Sequence, residues 1–193
     1  MSLEDQVRWD RQHAASGGME APSSFLRQIC EGDGWGIAPG RVLDLACGKG
    51  RNALYLATRG FDVTAFDIAA VALEAGRRQA EERSLPIHWQ QADLESLQLP
   101  AAEYDLIVNI NYLQRSLIPP MKTALKHGGH VIFETYLIDQ QALGYPKNPD
   151  YLLAHNELLN QFRDFRVLWY REGKFRDTRE PSFRAGIFGR KIV

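Results

Sequence analysis

The segment VLDLACGKGRN, residues 42–52, places an acidic residue inside a short apolar run and then two closely spaced glycines. The apolar run is typical of a buried β-strand, and glycines let the backbone turn sharply and approach a ligand closely. Residues 53–59 then have helical character and end at Gly60. We therefore predict a strand, a glycine turn and a helix, the arrangement in which open α/β sheets bind ligands beyond the carboxyl ends of their strands.

Strands and helices alternate along the rest of the chain. We predict strands at 62–66, 87–90, 105–110, 130–136, 165–170 and 183–190, and helices at 23–30, 69–83, 117–126 and 156–163. Such alternation implies an α/β fold, with a mostly parallel, Rossmann-like sheet covered by helices on both faces. The last two strands are joined too closely for a crossover helix, so we predict an antiparallel hairpin there.

Length and composition exclude several classes of protein. A chain of 193 residues fits one domain, and 45% hydrophobic with 24% charged residues is ordinary globular composition. No apolar run approaches a membrane span, and we expect a reducing, cytoplasmic setting. Basic and acidic residues nearly balance, at 23 and 24, so neither a nucleic acid nor a membrane is the expected partner. Cys30 and Cys47 have no zinc-ligand spacing, and we expect no metal.

A second acidic residue follows the second predicted strand. Asp67 stands where a carboxylate can accept both hydroxyls of a ribose, although it also suits the N-cap of the next helix. The spacing Gly48-x-Gly50-x-x-Ala53 also fits the dinucleotide fingerprint of an NAD(P)-dependent oxidoreductase. That fingerprint has no acid at the position of Asp44, and 193 residues leave little room for a substrate domain. A glycine turn that binds nothing is the remaining alternative.

Taken together, these features resemble the class I S-adenosylmethionine-dependent methyltransferases. Three further segments match motifs of that family, namely QADL at 91–94, YDLIVN at 104–109 and HGGH at 127–130, the last as the turn into strand five. The resemblance implies seven strands, of which the last is antiparallel and inserted beside the fifth. It also implies S-adenosylmethionine as the cofactor.

The resemblance narrows to the tellurite-resistance, TehB-like branch of that family. It is carried by DLACGKGRN, by NYLQRSL at 111–117 and by FETY at 133–136. Trp9-Asp10 and residues 22–26 resemble the N-terminal lid of the branch, and Trp9 with His13 can cap the cofactor pocket or simply pack. We therefore expect a helical lid over residues 1–38 and a methyltransferase domain over 39–193, within a single domain overall.

The family's cofactor residues map onto matching positions of this chain. Asp44 would approach the methionine amino group through a water molecule, and Asp67 would hold the ribose. The other positions implied are Ala46, Gly48 and Gly50 along the methionine moiety, Ile68, Asp93 and Leu94 around the adenine, and the backbone carbonyl of Asn109. Asp93 also suits a simple turn.

The sequence says less about which residues would bind the methyl acceptor than about those that would bind the cofactor. Tyr136, Tyr145 and Tyr151 can form an aromatic wall around an acceptor, or can be surface tyrosines that merely pack. Among the arginines of the final hairpin, Arg184 can hold an anionic acceptor, while a solvated face is the default for the group.

The resemblance implies methyl transfer to a small molecule, such as a thiol or a chalcogen oxyanion like tellurite or selenite. An acceptor that is already anionic needs no strong base, so we identify no catalytic residue and leave the oligomeric state open. The alternatives are an NAD(P)-dependent oxidoreductase and a cofactor-binding module without turnover.

Overall fold

The computed structural model describes residues 7, 10–11, 20–32, 36–176 and 181–192, so Trp9, His13 and much of the predicted lid lie outside the described residues. The strands are β1 (Arg41–Leu45), β2 (Asp62–Asp67), β3 (Ile87–Gln91), β4 (Tyr104–Ile110), β5 (Leu125–Tyr136), β6 (Phe165–Phe175) and β7 (Ser182–Lys191). The helices are α1 (Ser24–Glu31), α2 (Arg51–Thr58), α3 (Ala70–Glu82), α4 (Ile118–Ala124) and α5 (Glu157–Gln161). Short 3₁₀ turns cover Arg115–Leu117, Ile138–Ala142 and Pro149–Tyr151.

All seven strands form one sheet in the order β3-β2-β1-β4-β5-β7-β6. β7 runs antiparallel to both β5 and β6, and the other neighbours are parallel. The predicted α/β fold and its antiparallel C-terminal hairpin are therefore confirmed. The strand order reverses between β1 and β4, and an open sheet leaves a crevice for ligands at the carboxyl ends of the strands at such a point.

Two apolar layers cover the sheet. One packs under α1, α2 and α3 and includes Val42 of β1 and Ile132 of β5. The other packs under α4 and α5 and includes Leu43 and Phe133. Because side chains alternate along a strand, Asp44 faces the same side as Val42. We call this side the α1–α3 face.

Helix α1 is fixed at both its start and its apolar side. The Ser23 hydroxyl accepts a hydrogen bond from the Leu26 amide, which caps the first turn. Phe25 is fully buried and lies against Gly186 of β7, where a Cβ atom would come within 2.9 Å of the ring. A glycine is therefore needed at Gly186 for α1 to lie this close to the sheet.

The HGGH segment is not a turn before strand five, as the sequence suggested, but part of β5. Tyr104 pairs with Leu125 and Leu106 pairs with His130, so β5 carries extra residues between these two pairs. Such a bulge accommodates residues that have no partner on the neighbouring strand, and Gly128 adopts the left-handed backbone it requires at φ 78°.

No helix within the described ranges is both long enough and apolar enough to cross a membrane.

Candidate functional site

The loop between β1 and α2 has an unusual backbone. Ala46, Gly48 and Gly50 all have positive φ angles, of 52°, 56° and 77°. The left-handed region suits glycine but costs an alanine roughly 1–2 kcal/mol, and residues held there cluster at ligand clamps.

Three amides of this loop are already engaged within the protein. Cys47 donates to the carbonyl of Phe66, and Gly50 donates to the carbonyl of Cys47. Gly48 donates to the Asp67 carboxylate at 2.7 Å. A dinucleotide fingerprint uses such amides for a pyrophosphate, so the loop suits that anion poorly.

Asp44 of β1 is a buried carboxylate that faces the first turn of α2. It is 1% exposed, and it accepts a hydrogen bond from the Ala53 amide. Its second oxygen, Oδ2, has no hydrogen-bond partner among the described residues. Burial raises the pKa of Asp44 to about 7, although the nearby positive charge of Arg51 lowers it. A buried polar oxygen without a partner is costly, and this one is suited to accept from a bound amine.

Asp67 connects the glycine loop to the end of β2. One oxygen accepts from the Gly48 amide, and the other accepts from the Ala69 amide at 2.9 Å. The sequence predicted a ribose ligand or a helix cap, but it gave no sign of the bond to Gly48. Carboxylate oxygens can accept further hydrogen bonds, so the ribose role remains compatible with this geometry.

The predicted adenine residues lie after β3. Asp93 accepts from the Glu95 amide at 2.9 Å, which is the turn role considered as its alternative. Leu94 is 2% exposed within the apolar layer under α4, and Ile68 is also buried. Asn109 is buried at the end of β4, and its side chain donates to the Tyr112 carbonyl. The roles of these residues toward a cofactor stay predictions.

A buried polar cluster lies at the carboxyl end of β5. Glu134 is 1% exposed, and its Oε1 lies 2.6 Å from Nη2 of Arg171. Its Oε2 lies 3.6 Å from Nη1 of Arg184, which is only 6% exposed. The expectation of a solvated face is therefore wrong for Arg171, and Arg184, which the sequence set apart from that face, is buried too. Strands β5, β7 and β6 bring the two arginines together around one internal carboxylate.

Arg184 is held by several neighbours in addition to Glu134. It donates to the Ser182 hydroxyl and to the Tyr136 hydroxyl, each at 2.8 Å, and also to Oδ1 of Asn111. Its guanidinium lies 4.2 Å from the centre of the Tyr136 ring. We call Asn111, Glu134, Tyr136, Arg171 and Arg184 the arginine cluster.

The strand register places the arginine cluster near Asp44. Leu45 pairs with Asn109, which in turn pairs with Phe133, so these three residues form one row across the sheet. Strands lie about 4.8 Å apart, so β1 and β5 are separated by roughly 10 Å. Alternation places Glu134 and Arg184 on the α1–α3 face with Asp44.

The three predicted tyrosines do not form one wall. Tyr136 lies against Arg184, whereas Tyr145 is 70% exposed and Tyr151 is 43% exposed. Tyr145 and Tyr151 belong to the segment after β5. Arg115 holds this segment by donating to the carbonyls of Asp150 and Leu152.

The sequence patterns did not identify Asn111, Glu134 or Arg115 as site residues. A signal existed for Glu134, because it interrupts the apolar run VIFET as Asp44 interrupts VLDL. Arg115 lies within the quoted NYLQRSL segment, but nothing local shows that it reaches Glu157 at 2.6 Å.

The chain is similar to known methyltransferases in sequence. Residues 42–129 match the family described as a methyltransferase domain. A probable S-adenosyl-L-methionine-dependent methyltransferase, TehB of Haemophilus influenzae, is 31% identical over 158 residues, covering 77% of this chain and 54% of that protein. A ubiquinone biosynthesis O-methyltransferase of Acinetobacter baumannii is 34% identical over 107 residues, covering 52% of this chain and 45% of that protein. The chain thus spans about half the length of these relatives.

Solved structures show the same fold. The crystal structure of TehB from Haemophilus influenzae has a TM-score of 0.74 and 24% identity, covering 96% of this chain and 66% of that one. A structure from a study of the conversion of a disulfide bond into a thioacetal group during echinomycin biosynthesis has a TM-score of 0.77 and 18% identity. It covers 97% of this chain and 92% of the other.

Proposed function

The chain has a class I S-adenosylmethionine-dependent methyltransferase domain that resembles TehB, and from this premise we propose that it methylates a small acceptor that carries negative charge. Thiolates and chalcogen oxyanions, such as tellurite or selenite, are the acceptor classes in question. The single observation that carries the choice of an anion is the buried arginine cluster.

The residues at the carboxyl edge fit the methionine moiety of the family's cofactor. Asp44 offers a buried carboxylate oxygen that has no partner among the described residues, which suits an ammonium group. The left-handed loop at Ala46, Gly48 and Gly50 brings backbone rather than side chains to the same edge. When bound, S-adenosylmethionine supplies a methyl group on a positively charged sulfonium, and this charge makes the methyl carbon electrophilic.

The chain's own contribution is mainly alignment. Asp67 fixes the glycine loop against β2, and the two helices that begin beside it frame the crevice. Holding two reactants in near-attack geometry can lower a barrier by about 7–11 kcal/mol, so positioning alone accounts for a large rate enhancement.

The arginine cluster favours an acceptor with negative charge. Arg184 is buried, and its Nη1 lies 3.6 Å from Oε2 of Glu134, while its hydrogen bonds to Asn111, Tyr136 and Ser182 go to neutral groups. A buried guanidinium is costly unless opposite charge lies close to it, and an anionic acceptor would add such a charge. A guanidinium can hold an oxyanion through two parallel hydrogen bonds, and an anionic nucleophile needs no base.

The proposed activity is tested by binding and turnover together. Calorimetry with S-adenosylhomocysteine and with NAD separates a methyltransferase from an oxidoreductase. Transfer of a labelled methyl group to thiols, tellurite, selenite, small amines and RNA then separates an enzyme from a binding module. Turnover with anionic acceptors is the expected result, and a preference for neutral amines or RNA would contradict the proposed acceptor class.

Arg184→Ala should weaken acceptor use far more than cofactor binding. Loss of a charge-assisted hydrogen bond pair should lower kcat/KM for the acceptor about tenfold to a hundredfold, while the Kd for S-adenosylhomocysteine changes less than about threefold. Arg184→Lys should recover part of the loss, because lysine keeps the positive charge but lacks the two parallel N–H donors of a guanidinium. Arg166→Ala, at an exposed arginine of the same hairpin, is the matched control. Equal losses in both quantities would indicate general disruption and contradict the assignment.

Asp67→Ala should weaken S-adenosylhomocysteine binding about tenfold to a hundredfold, because it removes the ribose acceptor and releases the Gly48 amide. Calorimetry measures the affinity, and a thermal melt confirms that the variant is folded. Asp62→Ala, at the exposed start of the same strand, serves as the control. Native affinity in a folded Asp67 variant would exclude the role.

A further inference from the structure

A carboxylate from the N-terminal part of the chain pairs with Arg51, the first residue of α2. Nη1 of Arg51 lies 2.6 Å from Oε2 of Glu20. Arg51 follows directly after Gly50. Burial raises the pKa of Asp44, and the positive charge of Arg51 partly offsets that rise. Asp44 also accepts from the amide of Ala53, in the same first turn of α2. The start of α2 therefore meets both this buried carboxylate, whose Oδ2 has no partner among the described residues, and a carboxylate from the N-terminal part of the chain.

Two other contacts bring the N-terminal part of the chain to the same edge of the sheet. The Ser23 amide donates to Oδ1 of Asn52 in the first turn of α2, at 2.9 Å. Oδ1 of Asp10 accepts from the Val71 amide in the first turn of α3, at 3.1 Å. Both helices begin at the carboxyl ends of β1 and β2, so Glu20 lies at the mouth of the crevice.

The two acidic residues around Arg51 differ in how firmly they are held. Asp44 is fully buried, whereas the Glu20 side chain is 74% exposed and that of Arg51 is 25% exposed. An exposed ion pair contributes little to stability, so Glu20 can leave Arg51 at small cost. Arg51 itself is fixed by its place in the first turn of α2.

We propose that Arg51 recognises the α-carboxylate of the cofactor's methionine moiety, and that Glu20 occupies this place in the free protein and leaves it when the cofactor binds. This inference rests on the proposed function. An α-amino acid carries an ammonium and a carboxylate on one carbon, and Asp44 and Arg51 offer the two opposite charges at the start of the same helix. Glu20 thereby couples the N-terminal part of the chain to the state of the cofactor site.

The inference is tested with two ligands that differ by one group. They are S-adenosylhomocysteine and its analogue without the α-carboxylate, and calorimetry measures both for the unmodified chain and for Arg51→Ala and Glu20→Gln. Arg77→Ala and Glu74→Gln are matched controls, because this exposed pair lies on α3 at a similar distance of 2.9 Å.

The unmodified chain should prefer S-adenosylhomocysteine to the analogue about tenfold to a hundredfold, and Arg51→Ala should remove that preference by weakening only the first ligand. Glu20→Gln should tighten S-adenosylhomocysteine binding about twofold to fivefold, because no carboxylate then competes for Arg51, and should leave the analogue unchanged. The control variants should change neither affinity.

Two results would overturn this inference alone. One is an Arg51→Ala variant that weakens both ligands equally, and the other is a Glu20→Gln variant that weakens S-adenosylhomocysteine, since Glu20 would then close over the bound cofactor. Absence of any S-adenosylhomocysteine binding by the unmodified chain would overturn the proposed function, and this inference with it.

Discussion

Gly50→Ala should destabilise the protein by about 2–5 kcal/mol and abolish detectable S-adenosylhomocysteine binding. Gly50 has a φ of 77°, and a Cβ atom there would come within 2.6 Å of Cζ3 of Trp89 and closer still to Cη2. The substitution therefore adds backbone strain to a clash with a rigid ring. Urea denaturation and calorimetry measure the two effects.

Two further variants separate strain from clash. Gly60 has a similar φ of 84°, but a Cβ atom there would lie 3.9 Å from Pro39, so Gly60→Ala should show the strain alone, about 1–2 kcal/mol. Trp89→Leu makes room beside Gly50. The double variant Gly50→Ala/Trp89→Leu should lose less unfolding free energy than the sum of the losses of the two single variants. Strict additivity would show that Trp89 does not press on the loop.

The fold could be predicted because its signals are local. Strand β1, the glycine turn and α2 follow one another within about twenty residues, and their order in the sequence is their order in space. The hairpin of β6 and β7 followed from the short connection between them. The bulge in β5 could not be predicted from spacing, because it depends on which residue of β4 faces which residue of β5.

The candidate site could be predicted more completely on its cofactor side than on its acceptor side. Asp44 and Asp67 stand at the ends of strands, and the sequence position of each fixes its place at the carboxyl edge. The arginine cluster depends instead on β7 lying between β5 and β6, which brings Arg171 and Arg184 to Glu134 from distant parts of the chain. Charge density suggested a solvated face for the group with Arg184 as the exception, and it did not reveal that Arg171 is buried, since a local pattern does not show an internal counter-ion.

The tyrosines illustrate the same limit in the segment after β5. Tyr136 ends a strand, so its neighbours are fixed by the sheet, and it lies against Arg184. Tyr145 and Tyr151 lie in turns, where small changes of backbone direction decide whether a ring points inward or outward. Their exposure could not be read from their spacing.

Asp44 gives the protein a dependence on pH that has a definite sign. Its pKa is about 7 in the folded state and near 3.8 in an unfolded chain. Between about pH 4 and pH 7 the folded state therefore retains a proton that the unfolded state has lost, so the free energy of unfolding falls as the pH rises through this window. Above pH 7 Asp44 is ionised in both states, and the resulting loss of unfolding free energy is complete, on the order of 4 kcal/mol.

Asp44→Asn should therefore raise the free energy of unfolding at pH 8 and change it little at pH 4, while S-adenosylhomocysteine binding weakens about a hundredfold to a thousandfold. In the unmodified chain a bound ammonium favours the ionised carboxylate, so affinity should increase from pH 6 to pH 8 and binding should release a proton. Calorimetry in buffers of different ionisation enthalpy measures that proton. Asp164→Asn is the control, because Asp164 is paired with Lys122 on the surface and its pKa is lowered, not raised. Proton uptake on binding, or an Asp44→Asn variant with native affinity, would show that the buried carboxylate does not meet the cofactor's amine.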